Sequence, residues 1–242
     1  MDFFKNKKCI VIGSSGSIGS EFVSQLDSLN ADHVYAFSRS EKSFFSETIS
    51  TYNIDIVNEE SIINATNLIQ EKGPFDVIIV ATGILHDENV KPEKALRQLN
   101  ASNFEYIYKI NTIGPSLVMK HFSPLLNKNE KSIFAVLSAR VGSVEDNHLG
   151  GWYAYRASKA ALNMVMKNTA IETGRFNRNS IFVSLHPGTV DSKLSDPFKK
   201  NVKPEKLFTA EFSVNKLLSI LADLEIKDSG GFFAWDGKKI PF

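Results

Sequence analysis

The chain has 242 residues, 43% of them hydrophobic, and a formal net charge of +1 at pH 7. That length is sufficient for one large core, and the near-zero charge gives no indication of a nucleic-acid or membrane-surface partner. Cys9 is the only cysteine, which excludes an intrachain disulfide, and the five histidines have no metal-ligand spacing. The apolar run after the basic N-terminus is too short for a signal peptide. We therefore expect a cytoplasmic protein without a metal.

Short β-branched runs alternate with longer amphipathic runs along the whole chain. This order predicts right-handed crossovers and a doubly wound, mostly parallel α/β sheet of about seven strands, in one domain over residues 1–242. The predicted strands are Lys8–Gly13, His33–Ser38, Tyr52–Ile54, Asp76–Ala81, Ser132–Ser138, Ser180–His186 and Phe232–Trp235. The predicted helices are Ile18–Leu29, Glu59–Glu71, Asn103–Leu126, Trp152–Glu172 and Ala210–Leu224.

The least regular stretches are 84–98, 141–151 and 187–208. They follow strand ends or form a mid-chain loop, at the edge where open α/β sheets bind ligands. Two of them, 84–98 and 187–208, are candidate substrate loops that mix charges with apolar side chains. A partly apolar substrate is therefore expected. The apolar members are Leu85, Leu96, Val190, Leu194 and Phe198.

The first predicted strand leads into a glycine-rich turn and then a helix. In such a turn the backbone N–H groups close on a pyrophosphate at the positive helix N-terminus. The alternative is a tight strand-to-helix turn whose glycines serve packing alone. The candidate cofactor contacts of this turn are Gly13, Ser15, Gly16, Ser17, Ile18 and Gly19.

The second predicted strand ends in Ser38 and is followed by Arg39, with no acid at its end. An Asp or Glu there would accept from the ribose hydroxyls of NAD and repel the additional phosphate of NADP. A hydroxyl and a guanidinium suit that phosphate instead. The sequence therefore favours NADP(H) over NAD(H), with a solvated arginine as the alternative interpretation.

Tyr155 and Lys159 lie four residues apart in a predicted helix, which places both side chains on one face. A phenol with a pKa near 10 is a poor proton donor and acceptor at neutral pH, and a fixed cation beside it favours the phenolate. The pair is therefore a candidate for moving a proton onto or off a substrate oxygen.

Together these motifs resemble the classical short-chain dehydrogenase/reductase family, over essentially the whole chain. Segments 152–163 and 186–192 are most similar to its C-factor-like group. The resemblance implies a Rossmann fold that binds NAD(P)(H). It also implies that Tyr155 is the catalytic acid/base, and that Lys159 holds the nicotinamide ribose and lowers the pKa of Tyr155.

Further roles follow from the same resemblance. Asn111 matches the helix asparagine that keeps a water beside the lysine. Asp55, followed by Ile56, matches the aspartate that receives the adenine amino group. The remaining implied cofactor contacts are Ala81, Thr82 and Gly83 after the fourth strand, where the family usually has an asparagine, and Pro187, Gly188, Thr189 and Val190, which would close over the nicotinamide carboxamide.

Two further positions depart from the family pattern. The usual middle glycine of the turn falls on Ser17, while a glycine stands at Gly16. The catalytic serine has two candidates, Ser138 as first choice and Ser143 as the alternative. Ser138 lies about four residues further from Tyr155 than is usual, which implies a loop insertion at 141–151.

The expected function is NADP(H)-dependent hydride transfer between the nicotinamide and a small carbonyl or alcohol substrate. The alternative is a dinucleotide-binding signalling or sensor protein of C-factor type with little turnover. A complete set of Tyr155, Lys159 and Asn111 favours the enzyme, because a sensor needs no proton relay.

Apolar side chains on more than one stripe of helices 103–126 and 152–172 predict a homodimer, or a homotetramer if strand 232–235 also pairs.

Overall fold

The computed structural model describes residues 1–40, 42–88, 90–201 and 204–242. The predicted loops 84–98 and 187–208 each include residues outside these ranges. The described strands are β1 (Lys8–Ile12), β2 (His33–Ser38), β3 (Ile49–Asn53), β4 (Val77–Val80), β5 (Ser132–Leu137), β6 (Ser180–His186), β7 (Thr189–Val190), β8 (Leu207–Phe208) and β9 (Gly231–Ala234). The α-helices are α1 (Ser17–Ser28), α2 (Glu59–Ile69), α3 (Ala101–Tyr108), α4 (Gly114–Phe122), α5 (Tyr153–Thr173) and α6 (Ala210–Asp223).

Seven of these strands form one parallel sheet in the order β3-β2-β1-β4-β5-β6-β9. The chain leaves β1 in one direction and returns to its other side with β4, so the strand order reverses between these two strands. In an open α/β sheet, the crevice at the carboxyl ends of such a pair is where ligands bind. The predicted doubly wound Rossmann-type fold is confirmed.

Both faces of the sheet are covered by helices. Val11 packs in a core with residues of α1 and α6, whereas its neighbour Ile10 packs in a core with residues of α2, α4 and α5. Successive side chains of a strand point to opposite faces, so a strand that is covered on both sides must be apolar throughout. That requirement explains the nearly continuous apolar sequences of β1, β4 and β6.

The predicted helix 103–126 is divided into four parts, of which the last is the 3₁₀ turn Ser123–Leu125. Asn100 caps α3, its side-chain oxygen accepting from Asn103 N at 2.9 Å. After α3 the chain makes a π-helical turn, Lys109–Ile113, before α4 begins. Turns of this kind are rare, and they are frequent at functional sites. Asn111, a predicted site residue, lies in this turn.

The edges of the sheet differ most from prediction. The strand predicted at 52–54 is β3, which begins earlier and alternates between half-buried and exposed residues. On the opposite edge, the C-terminal segment folds back on β9, with Ile240 N donating to Phe232 O at 2.8 Å and Ala234 N donating to Lys238 O at 2.9 Å. Within the described ranges, no helix is long and apolar enough to cross a membrane.

Candidate active site

Two adjoining cavities lie at the carboxyl edge of the sheet and share the residues 81–83 that follow β4. The first, here called the Tyr155 cavity, measures about 230 Å³ and is bounded by Ser138, Tyr155 and Lys159. The second, here called the turn cavity, measures about 390 Å³ and is bounded by the glycine-rich turn and the end of β2. An elongated ligand would pass over residues 81–83 to occupy both.

The turn cavity collects most of the predicted cofactor contacts. Gly13 has φ +95°, and a Cβ atom there would lie 2.9 Å from the Thr82 methyl group, so the turn requires glycine. Gly19 packs beneath it, since a Cβ atom at Gly19 would lie 2.1 Å from Gly13 O. In the described part of the chain Gly19 and Ser17 are not among the residues that line the cavity. The predicted residues that do line it are Gly13, Ser15, Gly16, Ser38, Arg39, Asp55, Ile56, Ala81, Thr82 and Gly83.

Two further residues line the turn cavity that no sequence motif predicted. Tyr106 of α3 and Asp87 of the loop after β4 both line it, and the Tyr106 hydroxyl donates to Asp87 Oδ2 at 2.8 Å. This hydrogen bond and partial burial raise the pKa of Tyr106. Neither residue belongs to a motif, and only the fold brings them beside Arg39.

The Tyr155 cavity joins the first turns of α5 to the ends of β5 and β6. Lys159 Nζ donates to Leu137 O at 2.9 Å and lies 6.0 Å from the centre of the Tyr155 ring. Ile18 at the start of α1 closes another side of the cavity. The helical spacing predicted for Tyr155 and Lys159 therefore places both at one cavity.

Burial is the main cause of the pKa shifts of the titratable side chains that line this cavity. It raises the pKa of the Tyr155 phenol, lowers the pKa of Lys159 to about 8, and lowers the pKa of His186, another wall residue, to about 4 with help from Arg140. The direction for Tyr155 is opposite to that expected beside a lysine, because desolvation disfavours the phenolate and Lys159 is itself desolvated.

Asn111 does not line either cavity in the described structure, and its side chain hydrogen-bonds the backbone that follows β4. Its side chain accepts from Ile84 N and donates to Ile84 O, both at 2.8 Å, and its Nδ2 also donates to Ser158 Oγ at 3.2 Å. A Cβ atom at Gly83 would lie 3.3 Å from Lys159 Nζ and 3.5 Å from Asn111 Oδ1. Asn111 therefore fixes the backbone after β4 next to the Lys159 ammonium.

The two candidate serines occupy different environments. Ser138 lines the Tyr155 cavity, and its Oγ is buried with no hydrogen-bond partner among the described residues. Ser143 is also buried, but its Oγ accepts from Asp146 N at 3.0 Å. Ser138 has the hydroxyl available to a ligand, whereas Ser143 holds a turn.

The segment after β6 closes one side of the Tyr155 cavity through residues 187–190. Thr189 and Val190 form β7, which pairs with β8. Gly188 has φ +78°, and a Cβ atom there would lie 2.6 Å from the Phe208 ring. Ser213 Oγ donates to Pro187 O at 2.7 Å. Both α6 and β8 thus hold this segment.

Trp152 packs against Tyr155, and further aromatic contacts lead from Trp152 to the two candidate substrate loops. The Trp152 ring centre lies 6.3 Å from that of Tyr155 and 4.8 Å from that of Phe198, which in turn lies 5.8 Å from His86. Of the five apolar residues predicted for the substrate loops, Leu96 is 69% exposed and lies outside the cavity. The other four, Leu85, Val190, Leu194 and Phe198, line it.

Comparison with known proteins gives a consistent result. Residues 7–203 match the family described as short chain dehydrogenase. An uncharacterized oxidoreductase of Schizosaccharomyces pombe is 29% identical over 98% of this chain and 98% of its own length. C-signal of Myxococcus xanthus is 31% identical over 74% of this chain and 98% of its own length. The fold is similar to that of an NADPH-bound carbonyl reductase from chicken fatty liver, with a TM-score of 0.85, 23% identity, and coverage of 98% of this chain and 95% of that chain.

Proposed function

This chain belongs to the short-chain dehydrogenase family, and we propose that it is an NADP(H)-dependent enzyme that transfers a hydride between the nicotinamide and a carbonyl or alcohol substrate. The family makes it an NAD(P)-dependent oxidoreductase of such groups. One observation carries the finer proposal: Ser138, Tyr155 and Lys159 surround a cavity that adjoins the turn cavity at residues 81–83.

The residues present fit a dinucleotide. Thr82 lines both cavities, and its buried Oγ1, like Ser138 Oγ, has no partner in the described ranges. NADP(H) is favoured because Ser38 ends β2 and Arg39 follows it, at the place where an acid would select NAD. The similar chicken carbonyl reductase is NADPH-bound. At the pyrophosphate the cofactor would be held by Gly13, Ser15 and Gly16, with Ser17 and Gly19 completing the turn and Ile18 lining the Tyr155 cavity. Ser38 and Arg39 would hold the ribose phosphate, Asp55 and Ile56 the adenine, and Ala81, Thr82 and Gly83 the middle of the dinucleotide. The nicotinamide end would be held by Lys159, Tyr155 and Asn111 around the ribose and by Pro187, Gly188, Thr189 and Val190 at the carboxamide.

The remaining chemistry belongs to the side chains of the Tyr155 cavity. When bound, the nicotinamide supplies or accepts the hydride. In reduction, Tyr155 gives its proton to the carbonyl oxygen while Ser138 Oγ donates a hydrogen bond to the same atom, and in oxidation Tyr155 takes the proton back. Lys159, fixed on Leu137 O, favours the phenolate when it is charged. Asn111 keeps the backbone beside Lys159 in place.

A second candidate function is a dinucleotide-binding signalling protein with little turnover, which the 31% identity to C-signal favours. Steady-state NADPH consumption across a panel of aldehydes, ketones and diones separates the two. We expect consumption above that of a Tyr155→Phe blank with at least one compound class. NADPH binding without consumption on any member of the panel would instead support the sensor.

We also propose a homodimer that acts in the cytoplasm as one domain per chain. Ile113 of the π-helical turn and Met164 of α5 are 51% and 62% exposed on adjacent segments, and exposed apolar side chains of this size suit an interface. A tetramer through β9 has less support, because the C-terminal segment already hydrogen-bonds the outer edge of that strand at Phe232 and Ala234.

A further inference from the structure

The loop after β4 reaches the N-terminal end of α5, the helix that carries Tyr155 and Lys159. Glu93 of this loop is 3% exposed, and its Oε2 accepts from Ala154 N at 3.2 Å. Its backbone oxygen accepts from Trp152 N at 2.5 Å. The residue at the cap position is Trp152, whose side chain makes no capping hydrogen bond. Glu93 therefore supplies from a distant part of the chain the acceptor that a local Ser or Asp usually provides.

The backbone entering α5 is in an unusual conformation. Gly150, Gly151 and Trp152 have consecutive φ values of +64°, +66° and +52°. The left-handed region is rare for a large side chain and persists only where the surroundings impose it. Among the described residues, three hold this segment. Glu93 does so as described above, Arg156 Nε donates to Gly150 O at 3.1 Å and Gly151 O at 3.0 Å, and Asn147 Oδ1 accepts from Gly150 N at 3.0 Å.

The consequence reaches the Tyr155 cavity through Trp152. Its indole forms part of the cavity wall and lies against Phe198, and Tyr155 follows within the first turn of the same helix. If the first turn of α5 frays, both side chains move together. Glu93 itself is not among the described wall residues of the cavity.

We infer that Glu93 is a positioning residue, whose buried carboxyl group fixes Trp152 and the first turn of α5 so that the Trp152 indole and the Tyr155 phenol face the substrate. The kinetic part of this inference rests on the proposed reductase function. The structural part concerns Trp152 alone and does not depend on turnover.

The kinetic test compares Glu93→Ala, Glu93→Gln and Glu88→Ala, the last removing an exposed acid from the same loop. In Glu93→Ala we expect kcat to fall about tenfold or more, since a misplacement of ~1 Å can cost roughly 10²-fold. NADPH affinity stays within about threefold, because Glu93 contacts the start of α5 and is not among the described residues that line the turn cavity. Glu93→Gln keeps an acceptor oxygen and recovers most of the loss, and Glu88→Ala matches the parent.

The second readout is the fluorescence of Trp152 in a Trp235→Phe background, measured without cofactor, since the chain has two tryptophans. We expect Glu93→Ala to shift the emission to longer wavelength and increase quenching by acrylamide, with Glu93→Gln and Glu88→Ala unchanged. If the parent reduces no compound, the proposed function fails while the emission still tests Glu93.

Unchanged emission in Glu93→Ala, an unchanged kcat in an active parent, or a Glu93→Gln variant as impaired as Glu93→Ala would each overturn the inference. Should Glu93→Ala fail to fold, Glu93→Asp takes its place, because its side chain is one methylene too short to reach Ala154 N. The same two readouts, with the same expected and contradicting results, then apply to Glu93→Asp.

Discussion

Lys159 Nζ donates a hydrogen bond to the backbone oxygen of Leu137 at 2.9 Å, which ties α5 to the last residue of β5. The next residue after Leu137 is Ser138, and Tyr155 stands one helical turn before Lys159. Because β5 is a buried central strand, the relative positions of these three side chains are set by the sheet. A site built on rigid elements in this way is preorganised for its ligand.

Replacing Tyr155 with phenylalanine is expected to abolish turnover and leave cofactor binding intact. The variant lacks only the hydroxyl that would transfer the proton, and a positioned acid or base is typically worth about 10²–10⁴-fold in rate. Single-turnover reduction and NADPH titration measure the two effects. Tyr153→Phe, two residues earlier on α5, is the matched control and keeps the parent rate. A Tyr155→Phe variant within a few-fold of the parent would refute the acid/base assignment.

Replacing Arg39 with alanine is expected to weaken NADPH roughly ten- to hundredfold and NADH much less. A hydrogen bond to a charged group contributes about 1.5–3 kcal/mol, and only NADPH carries the phosphate. Equilibrium titration of both cofactors gives the comparison. Arg97→Ala removes an exposed arginine elsewhere and changes neither affinity. Equal losses for the two cofactors would show that Arg39 does not bind the ribose phosphate.

Alanine substitutions at the two serines should affect different properties: Ser138→Ala the activity and Ser143→Ala the stability. Ser138→Ala removes a hydroxyl that lines the cavity, and loss of one such donor costs about 10²-fold in kcat or more. Ser143→Ala removes the acceptor of Asp146 N and is expected to lower the free energy of unfolding by about 1 kcal/mol with kcat unchanged. Thermal melts and initial rates on both variants check this. The reverse pattern would make Ser143 the catalytic serine.

Lys159 should make the stability of the cofactor-free protein depend on pH. Burial lowers its pKa from 10.5 to about 8, so between these values the unfolded chain binds more protons than the folded one, and stability rises with pH. Below pH 8 the full cost of the buried charge remains. Above about pH 10 Tyr155 has the opposite effect and lowers stability as pH rises, because the phenol ionises in the unfolded chain and the buried phenol does not.

This slope is measured as the Tm difference between the parent and Lys159→Met from about pH 7.5 to 9.5. The parent is expected to gain stability relative to the variant as pH rises. Lys167→Met, an exposed lysine on the same helix, should keep the slope of the parent. Parallel curves for the parent and Lys159→Met would mean that Lys159 is not buried as an ammonium.

The proposed dimer is tested by charge on its apolar face. An arginine at Met164 or Ile113 would have to be desolvated at the interface, so light scattering should give half the mass of the parent. Leu68→Arg, on the exposed side of α2, carries the same change elsewhere and should remain dimeric. A monomer mass for the parent at micromolar concentration would contradict the proposal.

Much of the fold could be predicted because buried parallel strands are apolar throughout. Val77–Val80 and Ile181–Leu185 have no polar alternation to confuse with a helix, apart from Ser184. The edge strand β3 is half exposed, so its sequence, Ile49–Asn53, lacks that signal, and the strand predicted at 52–54 misses its first three residues. The π-helical turn was not predicted, because segment 103–126 has apolar residues on more than one stripe, and these hide the change of phase that one added residue makes.

The candidate site was predictable where chemistry depends on local spacing, as for Tyr155 with Lys159. It was not predictable where a residue acts across the chain. Glu93 is one acid among several in an irregular loop, and its role depends on a hydrogen bond to a residue 61 positions away. The sequence favours Ser138 over Ser143 but does not decide between them, because the cavity that Ser138 lines and the hydrogen bond that Ser143 accepts are visible only in the folded structure.

The π-helical turn at Lys109–Ile113 places a limit on chain length. Removing one residue there would let the helix return to α-geometry, but it would rotate α3 by about 100° relative to α4. Asn111 would then turn away from Ile84, and its hydrogen bonds to that backbone would be lost. In this helix the count of residues, as much as their identity, is part of the site.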